Sequence, residues 1–146
     1  SSLDWHLLDQ PQHEGVQRLV RDLNRLYRDT PALYQLDCKP EGFEWIEEGA
    51  AEESLYAWLR KGQDGAAPVL VVCNFTPVER SARRIGVPQA GRWIERLNTD
   101  AACYCGGDRG NLGGVESDPI AASGRAQSIA LTIPPLSTLF FELDQG

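Results

Sequence analysis

No methionine occurs in the 146 residues, and the only histidines are His6 and His13. No stretch approaches the roughly 20 apolar residues of a membrane-spanning helix. The opening residues lack the basic start and apolar run of a secretory signal. These absences predict a soluble, cytoplasmic chain with no membrane partner. Positive charge is also short: the net charge is −7, which argues against nucleic acid or an anionic lipid surface as partner. The four cysteines, Cys38, Cys73, Cys103 and Cys105, show neither the paired spacing of a zinc ribbon nor a disulfide framework, and are read as reduced thiols. The missing methionine, together with an opening that reads as the middle of a loop, suggests a piece cut from a longer protein.

What is present reads as one ordinary domain, large enough to bury a core without staples, with 42% hydrophobic and 24% charged residues. Near the start, Val16, Leu19, Val20, Leu23, Leu26 and Tyr27 recur at steps of three and four, one apolar stripe of a helix. Arg18, Arg21, Asp22, Arg25 and Arg28 take the other side. Asp9 is a plausible N-cap with Pro11 in the first turn, which places Ser2 to Leu8 in a loop. Thr30-Pro31-Ala32-Leu33 has the order of a second helix opening, and Lys39-Pro40-Glu41-Gly42 breaks the chain. The boundary is placed after residue 36, separating 1–36 from 37–146.

Beyond it, short apolar or alternating runs predict strands over Phe43 to Ile46, Leu55 to Arg60, Val69 to Phe75, Ala82 to Val87, Trp93 to Leu97, Ile129 to Ile133 and Leu136 to Leu143, an antiparallel sandwich. Val69 to Phe75 is apolar on both faces, as a strand covered on both sides would be. Ile129, Leu131 and Ile133 point inward by alternation. Ala101 to Gln127 reads as a loop or an irregular strand pair.

The segment Leu3-Asp4-Trp5-His6-Leu7-Leu8, the helix from His13 to Tyr27, and Pro31-Ala32-Leu33 resemble the end of the catalytic barrel of glycogen branching enzymes, the 1,4-α-glucan branching enzymes of the α-amylase superfamily. Gly42-Phe43-x-Trp45-Ile46, Val71-Val72-Cys73-Asn74-Phe75-Thr76-Pro77-Val78, Gly91-x-Trp93-x-Glu95-x-Leu97-Asn98-Thr99-Asp100 and Ile133-Pro134-Pro135-Leu136-Ser137-Thr138-Leu139 resemble that family's C-terminal domain, in order. The resemblance implies a mainly β chain: the α-amylase C-terminal all-β sandwich, preceded by an amphipathic helix left over from a (β/α)8 barrel. It implies a parent glycosyltransferase of glycogen biosynthesis that cleaves α-1,4 links and transfers the chain to a 6-hydroxyl through retaining chemistry. The catalytic carboxylates would lie upstream, so no catalytic residue is expected here and the piece alone would be inactive. The implied partners are the upstream barrel and α-glucan such as glycogen or maltooligosaccharides. No cofactor or metal is implied. The sequence departs from the family at Cys103-Tyr104-Cys105-Gly106-Gly107, where a cysteine follows the tyrosine.

Asp4, Trp5 and Tyr104 are the candidate substrate-proximal residues. Loops after barrel strands face the active site, and an indole offers a sugar an apolar plate and an N–H donor; the bland alternative packs Trp5 against the helix. Trp45, Trp58, Trp93 and Tyr104 either form an exposed platform or pack inside. Trp45, sharing a face with Phe43, and Trp93, in a strand with Leu97, are read as core, and Tyr104 as the least core-like. Gly106 to Gly114 lacks the ending of a phosphate loop, so its glycines are read as positive-φ turns. Cys103 and Cys105 with His6 or His13 make no complete zinc set. Asn74-Phe75-Thr76 fits a glycosylation pattern but precedes Pro77 and is discounted. Two other classes stay open, a stand-alone carbohydrate-binding module and a purely structural domain. A debranching or trehalose-forming relative is the other reading within the enzyme class. Without the barrel, the first 36 residues are expected to be mobile, or docked on the sandwich or a second copy.

Overall fold

The computed structural model describes residues 2–49 and 53–146, with side chains described from residue 11 onward. Helix α1 spans Ser2–Asp29 and the four-residue α2 spans Pro31–Tyr34. Eight strands follow among the described residues: β1 Phe43–Glu48, β2 Leu55–Arg60, β3 Val69–Asn74, β4 Arg80–Val87, β5 Arg92–Asn98, β6 Gly114–Glu116, β7 Gln127–Ile133 and β8 Ser137–Leu143. One sheet has the order β1-β2-β3-β8-β5-β6, and β4 pairs with β7 in the second. All pairings are antiparallel.

The inward rows of both sheets share one core. Leu55, Ala57, Leu59, Leu70, Val72, Trp93, Leu139 and Phe141 come from the large sheet and Ile85, Val87, Ile129, Leu131 and Ile133 from the small one. The alternation in β7 is as expected, with Ile129, Leu131 and Ile133 almost fully buried. Every residue of β3 is buried. Its outward Val69, Val71 and Cys73 form a second cluster with Ala32 and Leu33 of α2, against which Leu26 of α1 packs. The helices therefore lie on the outer face of the large sheet as a third layer. Docking splits the helical stripe: Leu19, Leu23 and Leu26 are half-buried, while Val16 and Val20 remain exposed.

Four expectations need correction. The helix does not begin after a loop: it runs from Ser2 through Pro11. Proline deletes one backbone donor and crowds the preceding turn, which weakens a helix there without always ending it. The expected cap, Asp9, lies outside the described side chains. Phe43 and Trp45 are not core, being 39% and 43% exposed. Strand β1 lies at the sheet edge, and its register shifts between Trp45 and Glu47; among its residues Ile46 is the one that reaches the inter-sheet core. Strand β6, three residues long, was not separable from its loop, because so short a run shows no alternation. Strand β4 begins earlier than expected, across an irregularity at Ala82, where φ is 51°.

Phe141 is fully buried between the sheets. Phe141→Ala is expected to lower unfolding free energy by about 3–5 kcal/mol through lost transfer energy and a residual cavity; urea denaturation followed by tryptophan fluorescence checks this.

Candidate functional site

Strands β1 and β2 turn alternate side chains outward, beyond the edge of the helical cover. Trp45 and Trp58 are paired across the two strands, with ring centroids 5.9 Å apart at 77°. Phe43 lies 5.1 Å from Trp45, edge-on at 86°, and 6.2 Å from Trp58, nearly parallel at 25°. Tyr56 continues the row to Phe75, which follows β3, at 5.6 Å. Phe75 is 63% exposed, whereas Tyr56 and Trp58 are half-buried because they also close the outer cluster. Such rings present apolar plates of the kind that pack against the C–H faces of a pyranose, and indoles and phenols add hydrogen-bonding tips.

Charged contacts hold the strand that carries this face. Glu44, between Phe43 and Trp45, accepts from Lys61 at 3.1 Å and also from Arg125. The Arg125 guanidinium, then the Lys61 ammonium, hold its carboxyl below its ordinary value. Glu47 accepts from Ser123 at 2.6 Å and pairs with Arg83 at 3.6 Å. An edge strand has one free row of backbone groups, and these side chains tie β1 instead to β4 and to the loop before β7.

Next to the face, a groove of about 350 Å³ runs between α1 and the sheet, lined by Leu23, Leu26, Tyr27, Leu33, Trp58 and Arg60 among others. At its rim the Tyr27 hydroxyl donates to Asp37 at 2.6 Å and Arg60 donates to Asp37 at 3.0 Å. The Tyr27 hydroxyl first, and Arg60 second, hold the Asp37 carboxyl low.

Of the expected site residues, Tyr104 lies away from this face. Asp4 and Trp5 lie outside the described side chains. Tyr104 sits at the opposite part of the helix, in a turn at Ala102–Tyr104, where its hydroxyl donates to Asp22 at 2.5 Å. Burial first, and the Asp22 carboxylate second, push this hydroxyl above its ordinary 10.0. Trp93 is fully buried and donates from Nε1 to the Gln89 carbonyl at 3.3 Å. Of the four aromatic residues that the sequence offered as a platform, Trp45 and Trp58 belong to this face and Trp93 and Tyr104 do not, while Tyr56 and Phe75 carried no signal for it.

In the glycine-rich stretch, the Gly107 and Arg109 amides donate to the Asp100 carboxylate at 2.9 and 3.0 Å. The backbone donors a phosphate would need are thus engaged by the chain's own anion. The glycines there serve close approach more than positive φ: Gly113 is left-handed, whereas a Cβ on Gly106 would meet the Asp100 carbonyl oxygen at 2.2 Å. Left-handed backbone falls instead on Cys105, Asp108 and Leu112. Asn74 is fully buried, and its amide donates to the Val78 and Pro134 carbonyls, so it offers no acceptor for a glycan.

The model of the alpha amylase, C-terminal all-beta domain family matches residues 45–144. The chain is 68% identical over 146 residues to a 1,4-alpha-glucan branching enzyme GlgB of Roseobacter denitrificans, covering 100% of this chain and 20% of that protein. It is 57% identical over 140 residues to the protein of that name from Cereibacter sphaeroides, covering 96% and 19%. With the one from Aquifex aeolicus it shares 52% over 142 residues, covering 97% and 22%. The chain thus spans about a fifth of the length of these relatives. A crystal structure of alpha-amylase from H. orenii is similar at a TM-score of 0.47 and 20% identity, over 86% of this chain and 20% of that one, too distant to carry an argument.

Two outcomes are expected. Glu44→Gln lowers stability near neutrality. Because the folded carboxyl titrates below its ordinary 4.5, the difference from the parent is whole above that pH and is lost as pH falls through the depressed value. Urea midpoints at pH 7 and pH 3 check it. Tyr104→Phe removes the bond to Asp22 and weakens helix docking by about 1–2 kcal/mol, read as faster amide exchange in α1. The Tyr104 hydroxyl titrates high when folded, so its contribution is whole below pH 10.0 and lost as pH rises beyond it.

Proposed function

The chain belongs to the alpha amylase C-terminal all-beta domain family, and on that premise we propose that it is the C-terminal part of a 1,4-α-glucan branching enzyme. In this reading residues 1–36 close the catalytic barrel and residues 37–146 are the sandwich that follows it. The chain's whole-length identity to enzymes of that name, over a fifth of their length, supports the reading. So does the family match, which begins inside β1 and leaves the helix outside. The parent would cleave an α-1,4 link and pass the chain to a 6-hydroxyl, with its carboxylates on the upstream part.

Two tasks follow for this piece. The first is to hold the last barrel helix. Val16 is 58% exposed, Val20 51% and Tyr27 43%, on a helix whose other side is docked; this stripe is where the barrel would pack. Asp4 and Trp5, at the start of that helix, are proposed to lie near substrate, and Tyr104 acts on the same segment by holding Asp22. The second task is to retain glucan on the face of Phe43, Trp45, Tyr56, Trp58 and Phe75. The observation that carries it is an exposed tryptophan at the centre of a five-ring cluster. No helix among the described residues is long and apolar enough to cross a membrane. The four free cysteines fit a reducing cytoplasm, which we propose as the location.

Titration with maltoheptaose, followed on the indole N–H signals, tests the glucan face. The Trp45 and Trp58 signals are expected to move saturably and that of buried Trp93 to stay fixed. In the full-length enzyme, Trp45→Ala is expected to raise KM for glycogen several-fold while turnover of short maltooligosaccharides is kept. If no indole moves, the sandwich is a buttress alone.

A further inference from the structure

Helix α1 has its weakest turn at Pro11, where a backbone donor is missing and the ring crowds the turn before it, a cost of about 3 kcal/mol in a helix interior. The segment just after this turn is gripped from outside by residues 103–105. The Cys105 thiol donates to the Pro11 carbonyl at 3.1 Å, Arg18 donates to the Cys103 carbonyl at 3.2 Å, and the Tyr104 hydroxyl donates to Asp22. The packing is close: a Cβ on Gly15 would lie 3.0 Å from the Tyr104 carbonyl and 3.2 Å from the Cys105 sulfur. Two of these three gripping residues are exposed, free cysteines separated by one residue.

We propose that Cys103 and Cys105 form a thiol–disulfide exchange site that sets the sandwich's grip on α1, with low-molecular-weight disulfides as its reagent class. The step balances. One thiolate attacks a small disulfide, forms a mixed disulfide and expels one small thiolate. The second cysteine, as its thiolate, attacks the protein sulfur of that mixed disulfide, closes the Cys103–Cys105 bond and expels the other. The protein loses two hydrogens and two electrons, and one small disulfide becomes two small thiols. A second thiol two residues away makes this second step intramolecular.

The coupling to the helix is chemical rather than only steric. A sulfur in a disulfide carries no hydrogen, so the Cys105 bond to Pro11 is lost whatever shape the new ring takes. It is lost directly after the turn that lacks a backbone donor. The Cys103 carbonyl carbon, whose oxygen receives Arg18, is itself an atom of the ring that closes. This inference does not depend on the branching-enzyme reading.

The test is to equilibrate the 146-residue chain, in a Cys38→Ser background, with reduced and oxidised glutathione in varied ratio. Mass spectrometry follows the thiols and amide hydrogen exchange follows residues 12–22. Expected is a species lighter by two hydrogens, with the bond mapped to Cys103 and Cys105, and about tenfold faster exchange in that helical segment, while β3 and β8 are unchanged. Cys105→Ser keeps a hydroxyl donor for Pro11 and cannot close the ring, so its helix is expected to stay protected in oxidising buffer. Independent glutathione adducts at the two cysteines, or equal helix exchange in both redox states, would overturn the proposal.

Discussion

Strand β3 has no polar side, and most of the architecture follows from that. Its inward Leu70 and Val72 join the core between the sheets, and its outward Val69, Val71 and Cys73 are as fully withdrawn from water. Burial of each such aliphatic side chain is worth about 1.5–3 kcal/mol, so an uncovered outer face would forfeit a large share of a domain's margin. A two-layer sandwich cannot supply that cover. Helix α2 does, through Ala32 and Leu33, with Leu26 of α1 beside them. The helical segment is therefore part of the sandwich's own energetics, whatever else it belongs to.

Where the cover stops, chemistry begins. Strand β2 marks the limit: Arg60 bonds to Leu33 and Asp37 under the helices, Trp58 is half covered, and Tyr56 looks toward open aromatic surface. Past it lies β1, an edge strand whose outward rings have no layer above them. Soluble chains tend to place charge on such edges. Here the charge sits on the opposite face of the strand from the rings, as Glu44 bound to Lys61 and Arg125, and stabilises the strand without shielding the rings. A face that stays apolar, open and firmly held is suited to a ligand that is itself half apolar and uncharged, which describes a pyranose chain.

The sequence was most readable where local pattern and final environment coincide. Val69 to Phe75 announced a strand buried twice, which holds as far as Asn74 while Phe75 is exposed, and Ile129 to Ile133 one buried once, because a side-chain period reports burial directly. It was least readable where the partner is distant. Alternation shows that Phe43 and Trp45 share a face but not which face, and that depends on β1 being an edge. The run of glycines suggested free turns, whereas Gly106 is small because Asp100 folds over it. Tyr104 looked like the aromatic residue most available to a sugar, yet its hydroxyl bonds to Asp22, 82 positions away. No local signal encodes that pairing.

The helix is held at two separated places, and this fixes its rotation on the sandwich. In its C-terminal third, Asp22 receives Tyr104 from the loop after β5. One turn and a half later, Tyr27 donates to Asp37, which Arg60 anchors to β2. A helix pinned at one point can roll about its axis. One pinned at two points by residues on different parts of the sandwich cannot roll without breaking a charge-assisted hydrogen bond, and those are about twice as strong as neutral ones. The outward stripe of Val16 and Val20 is thereby presented at a fixed angle. Turning that stripe relative to the sheets would require both ties to break together, because they reach the helix from different loops of the sandwich.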